Sequence, residues 1–257
     1  MDTATPLRLL AFDTSTDAMS VAVGRSVDGV ARAWQLQGAG GAQASASLIP
    51  AIIDLMAQAG LGFDDLDAIA FGCGPGAFTG LRAACSVAQG LAFGARAHAD
   101  GRAVPVLPVN TLLALAEEAR HQIRATPAAL RVLAMLDARM GEIYAASYSF
   151  DGVQWRQARG YTLSRPESLV LDPGWDPSGT VLAGNVFATY GARLPLDPAL
   201  PRVQALPTAS AMLRLAPVLL AAGHGISPEL ALPTYIRDKV AQTTLERAAA
   251  KAAIQAF

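Results

Sequence analysis

The residues with the clearest potential for chemistry form a glycine-rich segment, Gly72–Gly80, between a predicted strand and a predicted helix. Phosphate-binding loops occupy such positions, because the free N–H groups at the N-terminus of a helix attract anions. Leu81-Arg82 follows where a Walker A loop requires Lys and Ser or Thr, and the last glycine spacing is one residue too long for the dinucleotide fingerprint. The segment is therefore either an anion site, with Gly74 and Gly76 as its binding residues, or a tight structural turn.

A second candidate site combines carboxylates and hydroxyls. Asp13, Thr14 and Ser15 follow the first predicted strand. A carboxylate there can hold the water ligands of magnesium, and the hydroxyls can bind phosphate oxygens. Asp137 ends a later strand of the same pattern, so we expect the two acidic residues to face each other across a cleft. The alternative is an Asx turn that closes a hairpin.

Metal and nucleophile chemistry have little support in the residue types. The three histidines, His98, His121 and His224, are isolated, and the sequence contains no His-Glu-x-x-His pair. It also contains no Gly-x-Ser-x-Gly motif to supply the nucleophile of a hydrolase triad. Cys73 ends an apolar strand, where a buried inert thiol is more common than a reactive one. We therefore expect no metal site.

Two predicted helices are apolar over more of their surface than a helix covering one sheet requires. Ser47–Ala59 carries its polar residues on one narrow stripe, and Thr79–Phe93 repeats this pattern. Because one apolar stripe is enough to cover a sheet, the extra width predicts a second burial partner, either another lobe or another subunit. The apolar positions of this candidate partner interface are Leu48, Ile49, Ile52, Ile53, Leu55, Met56, Leu81, Ala84, Cys85, Ala88 and Leu91.

The rest of the pattern predicts an α/β fold with an internal duplication. Leu7–Val23 has the pattern of a buried strand, a turn containing Asp, and an alternating strand. Leu130–Tyr148 repeats this unit with one residue inserted before the Asp. We also expect a helix over Thr208–Ala222, capped by Thr208, and a helix in the alanine-rich tail Gln242–Phe257.

Composition bounds the class of protein. The 257 residues are 52% apolar and 16% charged with a net charge of -1, which excludes a disordered chain and a nucleic-acid binder that acts through charge alone. The most apolar stretch, Leu206–Ala222, contains an arginine and two prolines, so we expect no membrane-spanning segment. The N-terminus has no basic run of the kind that begins a signal peptide, and two cysteines are too few for a disulfide framework. We expect a cytoplasmic protein.

Several segments, in order along nearly the whole chain, together resemble the TsaB family of bacterial tRNA threonylcarbamoyladenosine biosynthesis proteins. The most specific are a Gly-Pro-Gly-x-Phe-Thr-Gly-Leu-Arg motif at Gly74–Arg82 and an Asp-Ala-Arg-x-Gly-Glu-x-Tyr motif at Asp137–Tyr144. Leu10–Thr16, Gln89–Ala92 and Pro233–Arg237 complete the set. The resemblance implies a two-lobed, actin-like or sugar-kinase-type α/β fold, built from two RNase H-like lobes, in agreement with the internal duplication.

This fold implies a division of the chain near its middle. We expect residues 1–107 to form an N-terminal RNase H-like lobe that carries the two interface helices. Residues 108–257 then form the C-terminal RNase H-like lobe. We expect its last helices, from about residue 208 to residue 257, to pack back on the N-terminal lobe.

The resemblance also implies a role without catalysis. In the family, TsaB is the non-catalytic partner that binds and stabilises TsaD, the subunit that transfers the threonylcarbamoyl group to adenosine next to the anticodon. TsaD binds a metal through a His-x-x-x-His pair, and the corresponding stretch here, Ala44–Leu48, contains no histidine. We therefore expect no catalytic residue, no metal, and at most weak, vestigial binding of ATP or ADP with magnesium.

The resemblance also implies which proteins this chain binds. TsaD would pair with the two helices of the N-terminal lobe, and the ATPase TsaE would join through the complex. Homodimers are expected to use the same surface without TsaD, and tRNA to be contacted only indirectly. The alternative function is an active ATP-dependent kinase or acyl transferase of this fold, which Asp13, Asp137 and the glycine-rich segment motivate. A metallopeptidase is the weakest alternative, because the sequence offers no ligand cluster.

Overall fold

Two five-stranded sheets with helices packed against them make up the fold. The first sheet comes from the N-terminal part of the chain, and the second sheet comes from the C-terminal part. No helix among the described residues is long and apolar enough to cross a membrane. The computed structural model describes residues 7–27, 30–95, 103–123, 129–175, 177 and 179–236.

The first sheet has two fully buried parallel strands near its centre, β1 (Leu9–Asp13) and β4 (Ala68–Gly72). Their continuous apolar sequences are typical of strands that are covered on both faces. β2 (Ala18–Val27) runs antiparallel to β1, and β3 (Val30–Ala39) runs antiparallel to β2, which confirms the predicted hairpin. β5 (Val106–Val109) lies parallel to β4 and completes the order β3-β2-β1-β4-β5.

The second sheet repeats the arrangement of the first. β6 (Leu130–Arg139) pairs antiparallel with β7 (Glu142–Phe150), which pairs antiparallel with β8 (Trp155–Ser164). β9 (Thr180–Gly184) lies parallel to β6, and β10 (Arg202–Gln204) lies parallel to β9. The order β8-β7-β6-β9-β10 therefore matches β3-β2-β1-β4-β5 in position and direction. This match confirms the predicted internal duplication and the two-lobed α/β fold.

Helices cover both faces of the first sheet, and the side chains of β1 alternate between the two resulting cores. Leu10 joins the core under the first two helices, whereas Leu9 joins the core on the opposite face, under the last helix. The third helix packs with the second sheet. The helices of the described residues are α1 (Ala44–Ala59), α2 (Phe78–Gly94), α3 (Thr111–Ile123), α4 (Phe187–Tyr190) and α5 (Ala209–Ala221).

The last described helix, α5, follows the second sheet in sequence but packs on the first. It begins where the sequence predicts, because Oγ1 of Thr208 accepts a hydrogen bond from the N–H of Ala211 at 3.1 Å, as an N-cap residue does. The expected lobe boundary at residue 107 falls inside β5, and that boundary stays a prediction. The predicted tail helix, Gln242–Phe257, lies outside the described residues.

A buried carboxylate joins α3 to α5 and so links the two lobes. The side chain of Glu117 is only 3% exposed. It accepts hydrogen bonds from Nε of Arg120 at 2.7 Å and Nε of Arg214 at 2.8 Å. Nε1 of Trp155 donates a further hydrogen bond at 3.0 Å. Burial by itself would raise the pKa of Glu117, but these three donors outweigh it and lower the pKa below its ordinary value.

Candidate functional site

Asp13, at the end of β1, lies inside the protein rather than at an open site. Its residue surface is 1% exposed, and its Oδ1 accepts hydrogen bonds from the N–H of Ser15 at 3.0 Å and from the Ser15 hydroxyl at 2.8 Å. Oδ2 has no hydrogen-bond partner among the described residues, and a Cβ built on Gly72 would lie 1.9 Å from it. Burial raises the pKa of Asp13 to about 6, although the hydrogen bonds from Ser15 oppose this. The carboxylate is therefore enclosed between β1 and β4.

The glycine-rich segment packs backbone to backbone against the turn that follows β1. The N–H of Ala77 donates to the carbonyl oxygen of Ser15 at 2.7 Å, and Oγ1 of Thr14 donates to the carbonyl oxygen of Gly80 at 2.7 Å. A Cβ on Gly80 would lie 1.8 Å from the carbonyl oxygen of Thr14, and one on Gly76 would lie 2.6 Å from Cβ of Ser15. Only glycine allows this approach. These contacts favour the structural turn over the anion site.

A small cleft lies between the two lobes, with Asp17 on one side and Asp137 and Arg139 on the other. Oδ1 of Asp137 accepts hydrogen bonds from the Tyr190 hydroxyl at 2.9 Å and from the N–H of Arg139 at 2.8 Å. The Arg139 guanidinium forms an ion pair with Asp17 across the cleft and lies 3.7 Å from Oδ2 of Asp137. The cleft has a volume of about 70 Å³, whereas ligand pockets typically measure about 300–1,000 Å³.

The structure separates the predicted phosphate-binding residues. Asp13 and Thr14 are buried and do not line the cleft, and Gly74 lines a different cavity. The expectation that Asp13 faces Asp137 is therefore wrong, because the Asp13 side chain is enclosed between two strands. The predicted residues that do line the cleft are Ser15, Gly76 and Asp137.

Two cleft residues, Asp17 and Arg139, are absent from the set that the sequence predicts. Each lies within a few residues of a predicted one, Asp17 after Ser15 and Arg139 after Asp137. The feature of the sequence that could have identified them is their opposite charge near the equivalent turns of the two duplicated units. An alignment of the two units on their aspartates would have placed these two side chains at neighbouring turns.

The turn that carries Arg139 has an unusual backbone. Arg139 and Met140 have φ angles of 63° and 57°, and Gly141 has a φ angle of 75°. Left-handed conformations at residues other than glycine cost of order 1–3 kcal/mol each, and they concentrate where the surrounding structure uses the orientation they impose. Here the turn between β6 and β7 directs Arg139 to Asp17.

Within the described ranges, no group of three or more His, Cys, Asp or Glu side chains could hold a metal ion.

The structure corrects the candidate partner interface on α1 and α2. Most of its side chains lie in the interior of the folded chain, so the prediction that they face a partner is wrong for them. Ile49 and Ile53 are exceptions, with 45% and 55% of their surface exposed, and Leu91 is half-buried. Phe93, which is not in the predicted set, is 61% exposed. The buried side chains are Leu48, Ile52, Leu55, Met56, Leu81, Ala84, Cys85 and Ala88.

The second burial partner of α2 is a segment of the same chain, residues 228–236, which we call the C-terminal strap. Nε2 of Gln89 donates to the carbonyl oxygens of Pro228 and Ala231, both at 3.1 Å. Sγ of Cys85 donates to the carbonyl oxygen of Ala231 at 3.4 Å. Sγ of Cys73 donates to the carbonyl oxygen of Leu232 at 3.3 Å. The extra apolar width of α2 is therefore explained within one chain.

One face of α1 remains exposed and apolar. Ile49 and Ile53 lie one helical turn apart, so their side chains are neighbours on the helix surface, and we call this pair the α1 face. The partner interface as a whole stays a prediction. Of its predicted residues, Ile49 and Ile53 are the ones whose side chains are exposed.

Comparisons with known proteins agree with the fold and with the motifs. A family model described as TsaD, tRNA N6-adenosine threonylcarbamoyltransferase, matches residues 41–191. The tRNA threonylcarbamoyladenosine biosynthesis protein TsaB of Escherichia coli (strain K12) is 34% identical over 247 residues, covering 91% of this chain and 96% of that protein. The protein of the same name from Haemophilus influenzae is 35% identical over 249 residues, covering 91% of this chain and 95% of that protein.

Solved structures give the same result. YeaZ from Pseudomonas aeruginosa superposes with a TM-score of 0.75 at 37% sequence identity, covering 90% of this chain and 100% of that one. Identity at this level over nearly the whole length, with the motifs at Gly74–Arg82 and Asp137–Tyr144 in place, confirms the resemblance found in the sequence. The chain belongs to the TsaB family of tRNA threonylcarbamoyladenosine biosynthesis proteins.

Proposed function

We propose that this protein is a non-catalytic subunit in the formation of threonylcarbamoyladenosine next to the anticodon of tRNA, and that it binds and stabilises TsaD. The enclosure of Asp13 carries the non-catalytic part of this proposal. A carboxylate that holds magnesium or a reacting group needs an oxygen that solvent and ligand can reach. Both oxygens of Asp13 are buried in the strand layer, and Gly72 lies against Oδ2.

The cleft between the lobes supports the same proposal. Its volume of about 70 Å³ is several times smaller than that of a typical ligand pocket, about 300 Å³ or more. Arg139 crosses the cleft to Asp17, and its guanidinium also lies beside Asp137. These residues do not fit a bound nucleotide with magnesium.

The α1 face supports the binding part of the proposal. Two isoleucines one turn apart, each about half exposed, form an apolar strip of the kind that a partner helix covers. The relatives that carry this fold are named for threonylcarbamoyladenosine biosynthesis, and TsaD is the partner that the sequence resemblance implies. TsaE then joins through the complex in the cytoplasm, and a homodimer forms through the same strip when TsaD is missing.

A paired substitution on the α1 face tests this proposal. Ile49→Glu with Ile53→Glu places two charges on the exposed strip, so co-purification with TsaD is expected to fall at least tenfold while the circular dichroism spectrum stays unchanged. Val218→Glu is the matched control, because Val218 is 47% exposed on a different helix, α5. If the paired variant is folded and still co-purifies with TsaD like the native chain, the α1 face is not the binding surface.

The alternative, an active ATP-dependent kinase or acyl transferase, has one feature in its favour. Oδ2 of Asp13 is a buried acceptor without a partner among the described residues, and such groups occur at catalytic sites. This alternative predicts magnesium-dependent ATP hydrolysis by the purified chain that Asp13→Ala abolishes. Our proposal predicts that hydrolysis by the native chain and by Asp13→Ala is the same and stays at background.

A further inference from the structure

We propose that the protein has a second docking site, separate from the α1 face, which takes a partner segment carrying an apolar or aromatic side chain next to a carboxylate. The site is a cavity of about 220 Å³ between the two lobes, which we call the aromatic cavity. The glycine-rich segment forms one wall through Gly74 and Gly76, and Tyr144 and Met140 of the second lobe form another. Tyr235 of the C-terminal strap closes a third side.

The rim of the aromatic cavity is an ordered cluster of two rings and a cation. The rings of Phe78 and Tyr235 lie 4.9 Å apart, centre to centre. The guanidinium of Arg82 lies 3.9 Å from the centre of the Phe78 ring, and its Nε donates to the Tyr235 hydroxyl at 2.7 Å. Aromatic residues and arginine dominate the binding energy of protein interfaces. Here their mutual contacts hold the side chains in place before any partner arrives, which lowers the entropy cost of binding.

The cavity is also bordered by large apolar side chains that stay exposed. Met140 is 69% exposed, Tyr235 is 43% exposed and Phe78 is 37% exposed. The left-handed backbone at Arg139 and Met140 fixes the turn that places Met140 on this rim. Methionine adapts its shape to different apolar surfaces, and for that reason it is common where proteins bind partners.

The positive charges at the aromatic cavity favour an occupant that carries a negative charge. Arg139 is the charged residue among those that line the cavity, and Arg82 adds a second cation at the rim. Neither the lining nor the rim described here includes a carboxylate. No carboxylate of the described residues pairs with Arg82 in an ion pair, whereas Arg139 is held by Asp17. An apolar side chain would fill the cavity, and a carboxylate beside it would pair with Arg82.

A single-stranded RNA is the competing occupant, because bases stack on aromatic rings and arginines bind phosphate. The geometry favours a protein segment. Arg82 already covers one face of the Phe78 ring, and Tyr235 packs against the same ring, which leaves little of it for a base. The net charge of the whole chain, -1, also disfavours an RNA backbone.

The experiment uses the full chain labelled with ¹³C at its methionine methyl groups. Two peptides are titrated, acetyl-Gly-Asp-Phe-Asp-Gly-amide and the uncharged acetyl-Gly-Asn-Phe-Asn-Gly-amide, together with a six-nucleotide oligouridylate. The Met140 methyl resonance reports on the cavity, and the fully buried Met135 serves as the internal control. We expect the acidic peptide to shift Met140 saturably without shifting Met135, and the uncharged peptide to bind at least about threefold more weakly.

Two variants assign the charge preference to one residue. Arg82→Gln removes the cation at the rim, so the two peptides are expected to bind with equal affinity. Arg202→Gln is the matched control, because Arg202 also lies over an aromatic ring, that of Phe187, on another part of the surface. In this control the preference for the acidic peptide is expected to persist.

Several results would overturn the inference. These are an unshifted Met140 resonance, equal affinity of both peptides for the native chain, a preference that survives Arg82→Gln, or a shift of Met140 by the oligouridylate and not by the acidic peptide. Self-association that shifts Met140 with protein concentration alone would assign the cavity to a second copy of the chain and also overturn it. The methionine titration requires no TsaD. A negative result for the aromatic cavity can therefore be distinguished from a negative result for TsaD binding at the α1 face.

Discussion

Arg139, the last residue of β6, forms an ion pair with Asp17, in the turn between β1 and β2, and this pair spans the small cleft between the two lobes. The β1–β2 turn and the β6–β7 turn, which Arg139 precedes, are the equivalent turns of the duplicated units. The small cleft that Asp17 and Asp137 line is therefore crossed by a side chain of the protein itself.

The first prediction concerns the Arg139–Asp17 pair. Both side chains are well exposed, 66% and 80%, and exposed ion pairs contribute up to about 1 kcal/mol. Arg139→Ala is therefore expected to lower the free energy of unfolding by no more than about 1 kcal/mol in urea titrations. Calorimetric titration of this variant with ATP and magnesium is expected to show no binding, because Asp13 stays enclosed. Tight ATP binding by Arg139→Ala would mean that the arginine alone keeps a working nucleotide site closed.

The second prediction concerns the buried charge of Asp13. Its pKa rises from 3.8 to about 6 on folding, so the folded state prefers the protonated acid. The contribution of Asp13 to stability should then fall as pH rises from about 4 to about 6 and stay constant above that range. Asp13→Asn lacks this loss. We expect its unfolding free energy, relative to the native chain, to increase by about 2 kcal/mol between pH 4 and pH 7.

Urea unfolding at both pH values measures this difference, and the comparison of two chains cancels the titration of all other groups. A relative stability that is independent of pH would show that folding leaves the pKa of Asp13 at its ordinary value. A relative stability that decreases with pH would show a pKa below the ordinary value.

The third prediction concerns the buried carboxylate of Glu117 between α3 and α5. Glu117→Gln removes the charged acceptor of Arg120 and one of the two that Arg214 binds, the other being Glu118. It should therefore lower the free energy of unfolding by about 2–4 kcal/mol at pH 7. Because the pKa of Glu117 is lowered by folding, the contribution is present at neutral pH and is lost as pH falls below the ordinary range of a glutamate. Glu229→Gln, at an exposed position, is the control and should change stability by less than about 0.5 kcal/mol. Equal effects of the two changes would refute the structural role of Glu117.

The fourth prediction compares two glycines of α2. A Cβ on Gly80 would lie 1.8 Å from the carbonyl oxygen of Thr14, whereas one on Gly90 meets no atom within 4 Å. Gly80→Ala should therefore lower the free energy of unfolding by more than about 3 kcal/mol, because the backbone cannot move aside cheaply. Gly90→Ala should raise it by about 0.5–1 kcal/mol, as replacing an exposed helical glycine does. Thermal unfolding of both variants checks this contrast, and a native-like Gly80→Ala would mean that the loop does not pack against Thr14.

The sequence predicts the strands and the duplication well, because strand patterns and the turn aspartates depend on local spacing. The strand–turn–strand unit of Leu7–Val23 recurs at Leu130–Tyr148, and the two sheets match strand for strand. Helix α5 and its Thr208 cap are also local features. Each of these predictions needs only the residues within the element itself.

The sequence does not predict what covers the apolar faces of α1 and α2. The width of an apolar face indicates that a second partner exists, but not whether that partner is another chain. Gln89 and Cys85 bind the carbonyl oxygens of a strap that lies about 140 residues further along the chain. The same limit applies to Asp13, whose enclosure depends on the close approach of Gly72 from a different strand.

Reconstituted threonylcarbamoyladenosine formation by TsaD tests the central proposal most directly. TsaD is assayed with TsaE, tRNA and an activated threonylcarbamoyl donor. The four assays contain no added chain, the native chain, Asp13→Asn, or Ile49→Glu with Ile53→Glu. We expect activity with the native chain, unchanged activity with Asp13→Asn, and loss of activity without the chain or with the paired α1 variant. Activity that needs no added chain, or that Asp13→Asn abolishes while the variant stays folded and bound to TsaD, would contradict the central proposal.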